Sequence, residues 1–285
     1  MLNGYKNPLV LEEEFYNKHS KLESRINFWN TFGSNQQTYG DFLKAIVKGS
    51  YRSMIDIGCG NAQYSSQWVD FVSEKATFLD ISREMLLSAD RNLAKYHYSH
   101  KQKTEFKQGS LMSATFGYEK FDLVVAMHVL QHIDDISLAL EKIKSLVSAK
   151  GTVLITTYDN TLDDWLNRTH YDLLKKLKFP KRMLETRTYL SFSGNNAVQK
   201  LKNVFPNFLQ YVYKNDAHVN EANKVMEYYV SSMMFRMSEG HQSVDINMDQ
   251  WKELEKQMRL AVEAKIAIEG FVFVKGRVQV FEIKM

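Results

Sequence analysis

The stretch MIDIGCGNAQY, residues 54–64, places an acid and two glycines directly after a short apolar run. The run SMIDI predicts a β-strand, and a helix is predicted to begin near Ala62. Gly58 and Gly60 therefore fall in a turn at the carboxyl end of the strand, where open α/β sheets bind ligands. Gln63 stands where a dinucleotide-binding turn has its third glycine, so the spacing argues against a dinucleotide.

Short β-branched or apolar runs alternate with helical patterns between residues 50 and 157. These runs are SMIDI, ATFLD, TEFKQ, FDLVVA and TVLITT. The alternation predicts an α/β fold with a Rossmann-like, doubly wound, mostly parallel sheet. The last segment, GFVFVKGRVQVFEIK, predicts two antiparallel strands that pair with each other at Lys275 and Gly276.

The pattern outside this core is helical. Amphipathic stripes predict helices over residues 160–179, 221–237 and 249–268, with Thr161 and Asp164 as a capping box of the first. We expect four regions in chain order: an N-terminal helical cap (1–48), a core (49–157), a helical lid or substrate region (158–268) and C-terminal strands that complete the core sheet (269–285).

Composition sets broad limits on function. With 285 residues, 44% of them hydrophobic, the chain can bury a sizeable core. The net charge of +4 permits anionic partners without requiring them. The single cysteine, Cys59, excludes an internal disulfide and a cysteine metal cluster. A single cysteine suits a reducing compartment, so we expect a cytoplasmic protein. No apolar window is long enough for a membrane span, so we expect no membrane partner.

Further polar residues follow the later strands. Asp80 ends the second strand about 20 residues after the glycine turn, where a carboxylate in a nucleotide-binding sheet bonds the ribose. GSL, residues 109–111, follows the third strand, and the fourth strand lies in FDLVVAMHVLQHIDD, residues 121–135. The carboxyl ends of parallel strands share one edge, so these groups are predicted to converge there.

Together these segments resemble the class I S-adenosylmethionine-dependent methyltransferases, of the bacterial small-molecule type. The resemblance covers residues 50–157 through IDIGCGNA, FLDIS, GSL, FDLVVAMHVLQHIDD and KGTVLITT. It implies S-adenosylmethionine as the cofactor. The implied cofactor-binding residues are Asp56, Gly58, Cys59 and Gly60 around the methionine moiety, Asp80 at the ribose, Ile81, Met85, Ser110 and Leu111 at the adenine, and Met127.

Ser110 departs from the commoner pattern of this family, which has Asp or Glu there. A neutral hydroxyl can still accept a hydrogen bond from the exocyclic amine, but it should hold that amine less strongly than a carboxylate does.

The resemblance also points to acceptor-side residues. His128 follows the fourth strand and is the candidate catalytic base, because histidine titrates near neutral pH. His132, Tyr158 and Tyr39 are candidate substrate-binding residues, and helix capping or packing explains them equally well. No metal site is expected, because no third ligand accompanies the two histidines. Cys59 is not expected to act as a nucleophile.

We predict methyl transfer to an N or O atom of a small molecule, since an insertion after the fifth strand would enclose a pocket. One alternative is an RNA (tRNA) methyltransferase that uses the basic segment KKLKFPKRMLETR, residues 175–187. A nucleic-acid partner is not expected, because Glu185 interrupts this segment. The other alternative is a non-catalytic, cofactor-binding partner subunit. The oligomeric state stays open.

Overall fold

The computed structural model describes residues 19–94, 103–159, 164–185, 191–232 and 248–285. The chain divides into two compact units. The first, here called the sheet unit, comprises Gln37–Asp159, Tyr189–Tyr213 and Val278–Met285. The second, here called the helical unit, comprises Met1–Gln36, Asn160–Thr188 and Lys214–Arg277.

The described residues form these strands, in chain order: β1 Tyr51–Ile57, β2 Val72–Asp80, β3 Lys103–Gln108, β4 Phe121–Met127, β5 Val147–Tyr158, β6 Leu209–Lys214, β7 Ala217–Val219, β8 Val272–Val274 and β9 Arg277–Lys284. The helices are α1 His19–Phe32, α2 Tyr39–Ile46, α3 Arg83–Leu93, α4 Ile136–Leu146, α5 Trp165–Lys176, α6 Lys181–Glu185, α7 Gly194–Val204, α8 Ala222–Ser231 and α9 Met248–Glu269.

Seven strands form one sheet in the order β3-β2-β1-β4-β5-β9-β6. The pairs β2–β3, β1–β2, β1–β4 and β4–β5 are parallel, whereas β9 runs antiparallel to β5. The predicted α/β class, the five core strands and the antiparallel C-terminal strand are therefore confirmed. The strand order changes direction between β1 and β4, and ligands of doubly wound sheets bind at such a switch point.

The central strands are apolar on both faces. In β4, Leu123, Val124 and Val125 are fully buried. Val124 packs with Ile55 in one hydrophobic cluster, and Leu123 and Val125 pack with Met54 in the cluster on the opposite face. Successive side chains of a strand point to opposite faces, so a strand with helices on both sides must be apolar throughout.

The helical unit has a core of its own, built from α1, α5, α8, α9 and the strand pair β7–β8. Asp164 caps α5 by accepting hydrogen bonds from the backbone N–H groups of Leu166 and Asn167. Thr161, its predicted capping partner, lies outside the described residues, as does the predicted continuation of α8 beyond Ser232. Gly270, with φ +84°, ends α9 as predicted.

The predicted hairpin at the C-terminus is wrong. β8 pairs with β7, and β9 pairs with β5. A Cβ at Gly276 would overlap the carbonyl oxygen of Asn215 and the ring of Trp29. The Gly276 carbonyl accepts a hydrogen bond from the Asn215 N–H at 2.7 Å. Gly276, which lies between β8 and β9 in the chain, therefore allows a close approach of its backbone to Asn215 and Trp29. A hairpin turn also favours glycine, so the sequence pattern is the same in both cases.

The helix predicted to begin near Ala62 is also wrong. Ala62 has φ +53°, a left-handed conformation that cannot start a right-handed helix. Residues 58–64 form turns, and a 3₁₀ helix follows at Ser65–Phe71.

Candidate functional site

The ends of β1 and β2 are held together at the glycine turn. The carboxylate of Asp80 accepts the N–H of Gly60 at 2.8 Å and the N–H of Ser82 at 2.9 Å. The Leu79 carbonyl accepts the N–H of Gly58 at 2.7 Å. The acid predicted to bind a ribose therefore also fixes the conformation of the turn.

The two glycines of the turn have different surroundings. Both lie in the left-handed region, with φ +66° at Gly58 and +54° at Gly60. A Cβ at Gly58 would lie 2.8 Å from Cβ of Val129, and closer still to Cγ2. A Cβ at Gly60 would meet nothing within 4 Å among the described residues. Gly58 therefore permits packing, and Gly60 leaves open space beside its backbone.

Asp56, near the end of β1, is fully buried. Among the described residues, neither of its carboxylate oxygens has a hydrogen-bond partner. Burial raises the pKa of Asp56 to about 7, and the charge of Asp80 adds to this rise. The Ser65 hydroxyl lowers the pKa by less than burial raises it, and its oxygen also has no hydrogen-bond partner among the described residues. A buried carboxylate without a partner is costly, so the position suits a cationic group of a ligand.

The residues predicted at the adenine end follow β2 and β3. Met85 and Leu111 are buried, whereas Ile81 and Ser110 are partly exposed. The Ser110 hydroxyl lies 2.9 Å from the Ser113 hydroxyl and accepts the Ser113 N–H at 3.1 Å. Ser110 therefore closes a local turn, a role that its sequence position did not indicate.

His128 follows β4 and has φ +51°. Its N–H donates to the Thr156 carbonyl at 3.1 Å, and its carbonyl accepts from Nε2 of Gln131 at 2.6 Å. Part of the side chain reaches solvent, but Nδ1 is buried without a hydrogen bond to the described residues. Burial lowers the pKa of His128 to about 4, so the ring is neutral at pH 7. This pKa makes it a weaker base than an ordinary histidine.

Two tyrosine side chains lie next to His128. The Tyr158 ring lies 4.4 Å from the imidazole between centroids, and the Tyr39 hydroxyl is 3.5 Å from Nε2. Tyr64 and Tyr213 lie 5.0 and 5.1 Å from the Tyr39 ring. We call these four tyrosines with His128 the tyrosine cluster.

The structure thus brings together the predicted Tyr39, Tyr158 and His128. Sequence reasoning missed Tyr64 and Tyr213. Tyr64 follows the glycine turn and could have been found there, but Tyr213 comes from β6, for which no motif gave a signal.

The remaining predicted residues lie in the segment around the end of β4 or in the glycine turn. Met127 is the partly exposed last residue of β4. His132 ends a 3₁₀ helix, Leu130–His132, so it does not share an α-helical face with His128. Burial, with Asp80 and Asp56, raises the pKa of the Cys59 thiol well above its usual value. Among the residues that the structure describes, no three His, Cys, Asp or Glu side chains are grouped to hold a metal ion.

Comparison with known proteins agrees with this geometry. Residues 55–153 match the family model described as a methyltransferase domain. The predicted resemblance to the class I S-adenosylmethionine-dependent methyltransferases is therefore confirmed.

Individual relatives are distant. Demethylmenaquinone methyltransferase of Desulfitobacterium hafniense (strain Y51) is 26% identical over 151 residues, which cover 52% of this chain and 59% of that protein. The aligned part thus spans less than two thirds of this relative. Phosphoethanolamine N-methyltransferase 2 of Haemonchus contortus, solved with phosphomonomethylethanolamine and S-adenosylhomocysteine, has a TM-score of 0.52 and 14% identity, covering 96% of this chain and 59% of that one.

The (4+2)-cyclase SpnF has a TM-score of 0.51 and 12% identity, covering 96% of this chain and 95% of that one. At such identities the likeness concerns the fold, which also carries a chemistry other than methyl transfer. None of the helices in the described part of the chain combines the length and apolar character that a membrane crossing requires.

Proposed function

We propose that the protein is an S-adenosylmethionine-dependent methyltransferase that acts on an N or O atom of a small molecule. One observation carries this proposal: the glycine turn, tied to Asp80, lies beside a fully buried Asp56 whose oxygens have no partner among the described residues. An open backbone next to a carboxylate that needs a cation fits an amino-acid moiety.

The residues present fit the cofactor. Asp56 would hold its ammonium group, the open side of Gly60 would accommodate its methionine moiety, and the Asp80 carboxylate would accept hydrogen bonds from the ribose hydroxyls. Ile81, Met85 and Leu111 would provide apolar contacts for the adenine, and Ser110 and Met127 would lie at its margins. When bound, the cofactor supplies an electrophilic methyl group.

The chain itself would align the acceptor and exclude water. His128 is the candidate catalytic residue, as a neutral ring that accepts a hydrogen bond from the acceptor. Tyr39, Tyr158 and His132 are proposed to contact the acceptor. The single cysteine supports the cytoplasm as the proposed location.

Two measurements test the function. Calorimetry should show binding of S-adenosylmethionine and S-adenosylhomocysteine, and labelled methyl should pass to a small-molecule fraction of a cell extract. Absence of binding would contradict the proposal. Transfer to the RNA fraction alone would favour an RNA methyltransferase, and binding without any transfer would favour a non-catalytic subunit or a different chemistry, as in the cyclase that shares the fold.

A further inference from the structure

We propose that the tyrosine cluster selects an amine nitrogen as the methyl acceptor. This inference rests on the proposed function and narrows it from an N or O atom to nitrogen. Five separate segments of the sheet unit contribute to the cluster: the start of α2, the turn before the 3₁₀ helix, the residue after β4, the end of β5 and the end of β6.

The rings of the cluster lie close together. Tyr39 and Tyr64 meet edge to face, and Tyr39 and Tyr213 are tilted by 47°. Burial raises the pKa of Tyr39, and the charges that Tyr64, Tyr158 and Tyr213 would carry when ionised raise it further. Burial likewise raises the pKa of Tyr64 and Tyr213, so these three hydroxyl groups stay neutral at pH 7. Aromatic ring faces attract a cation, and phenol oxygens accept hydrogen bonds from its N–H groups.

The one charged group that shifts the pKa values of Tyr39, Tyr64 and Tyr213 is acidic. The groups that shift the pKa of Tyr39, Tyr64 and Tyr213 are burial, Thr156, other tyrosines and, for Tyr213, the carboxylate of Asp41. Among the described residues, no lysine or arginine lies over the rings of Tyr39, Tyr64 or Tyr213. None of these groups at Tyr39, Tyr64 and Tyr213 is a cation that would hold an anionic acceptor, such as a phenolate or a carboxylate.

The charge balance of the reaction separates nitrogen from oxygen. A neutral amine donates its lone pair to the methyl carbon, the C–S bond breaks with its electron pair on sulfur, and the nitrogen then releases a proton to water. One positive charge remains in the site throughout and moves onto nitrogen, so aromatic faces can stabilise it. With a phenolate the charges cancel, and an alcohol needs a strong base. The neutral His128 can accept a hydrogen bond but is a weak base.

The test uses a matched pair of probes with the full chain. Choline carries a quaternary ammonium group, and 3,3-dimethylbutan-1-ol has the same shape without the charge. With the protein saturated by S-adenosylhomocysteine, calorimetry should give a Kd for choline at least about tenfold lower than for the alcohol. Equal affinities would overturn the inference.

Variants test whether choline binds at the tyrosine cluster. Tyr158 is 38% exposed, so its replacement should leave the fold intact. Tyr158→Leu should weaken choline binding about tenfold, and Tyr158→Phe, which keeps the ring, should change it less than about threefold. Tyr118 is fully exposed in the same unit, and Tyr118→Leu should have no effect. Equal losses in Tyr158→Leu and Tyr118→Leu would overturn the assignment to this cluster.

Binding of S-adenosylhomocysteine distinguishes a failure of the proposed function from a failure of the amine assignment. Its failure to bind would overturn the proposed function. If it binds and displaces choline, the cluster belongs to the cofactor site, and the amine assignment is overturned while the proposed function stands. Simultaneous binding of both, with the preference for choline, supports the amine acceptor.

Discussion

The carboxylate of Asp80 accepts the backbone N–H of Gly60 at 2.8 Å, which ties the end of β2 to the turn after β1. Replacement by Asn removes an acceptor oxygen and the charge. We expect Asp80→Asn to weaken S-adenosylmethionine binding by about 1–3 kcal/mol, because the turn loosens and a ribose partner is lost. Calorimetric titration measures this effect.

Asp70 provides the matched control, because it is an exposed aspartate in the 3₁₀ helix of the same unit. Asp70→Asn makes the same chemical change away from the turn, and its cofactor affinity should equal that of the unaltered protein. An unchanged affinity in Asp80→Asn would contradict the assignment of Asp80.

Gly58 and Gly60 should respond differently to the same substitution. Both have positive φ, but only Gly58 faces a packed neighbour, Val129. We expect Gly58→Ala to lower the free energy of unfolding by about 2–4 kcal/mol through strain and overpacking. Gly60→Ala should cost about 1–2 kcal/mol of stability from its backbone strain. Urea unfolding measures both.

Cofactor affinity should respond most directly to substitution of Gly60. A methyl group at Gly60 fills the open space proposed for the methionine moiety, so Gly60→Ala should lose cofactor affinity at a temperature where it is fully folded. Adding Val129→Ala to Gly58→Ala should restore part of the lost stability. A Gly60→Ala variant that binds the cofactor normally would show that the open side of the turn is not used.

The sheet could be predicted from the sequence because its signals are local. The five core strands are short apolar runs between amphipathic helices, as with FDLVVA and TVLITT, and burial on both faces requires that composition. The C-terminal pairing could not be predicted. Gly276 suits a hairpin and a close approach equally, and the contacts with Asn215 and Trp29 that decide between them join distant parts of the sequence.

The site also has a part that the sequence predicts and a part that it does not. The glycine turn and Asp80 form a motif with fixed spacing, so their proximity was readable from the sequence. Tyr213 comes close to Tyr39 only because β6 lies at the sheet edge next to β9, and no spacing rule links positions so far apart. The burial that lowers the pKa of His128 likewise depends on packing, which a sequence pattern does not report.

The raised pKa of Asp56, about 7, predicts a pH-dependent stability. Between pH of about 4 and about 7 the folded protein keeps a proton on Asp56 that the unfolded chain has released, so this group's contribution to stability falls as pH rises. Asp56→Asn should remove that slope. Urea midpoints measured at pH 5 and pH 8 for both proteins give the difference.

The unaltered protein must be compared with Asp56→Asn because the buried histidines change the stability with pH in the opposite direction. His128 and His170 have pKa values lowered to about 4 and about 3, so their contribution to stability falls as pH drops below about 6.5. These contributions are common to both proteins and cancel in the difference. Identical pH slopes in the two proteins would contradict the raised pKa of Asp56.

The low pKa of His128 determines the expected pH dependence of methyl transfer. Because burial lowers its pKa to about 4, its ring stays neutral from about pH 6 upward, and the rate of methyl transfer should show no histidine inflection near pH 6.5. His128→Asn is the suitable variant, because asparagine tolerates the positive φ of this position. Because it removes the group that orients the acceptor, it should lower kcat about 10²-fold and leave the cofactor Kd unchanged.

His218→Asn makes the same replacement at an exposed position of β7, so it should keep the normal rate. An inflection near pH 6.5 that disappears in His128→Asn would show that His128 titrates as an ordinary histidine and acts as a base. That result would favour an oxygen acceptor, since an amine needs no base to be nucleophilic once it is neutral. A kcat that His128→Asn leaves unchanged would remove His128 from the reaction altogether.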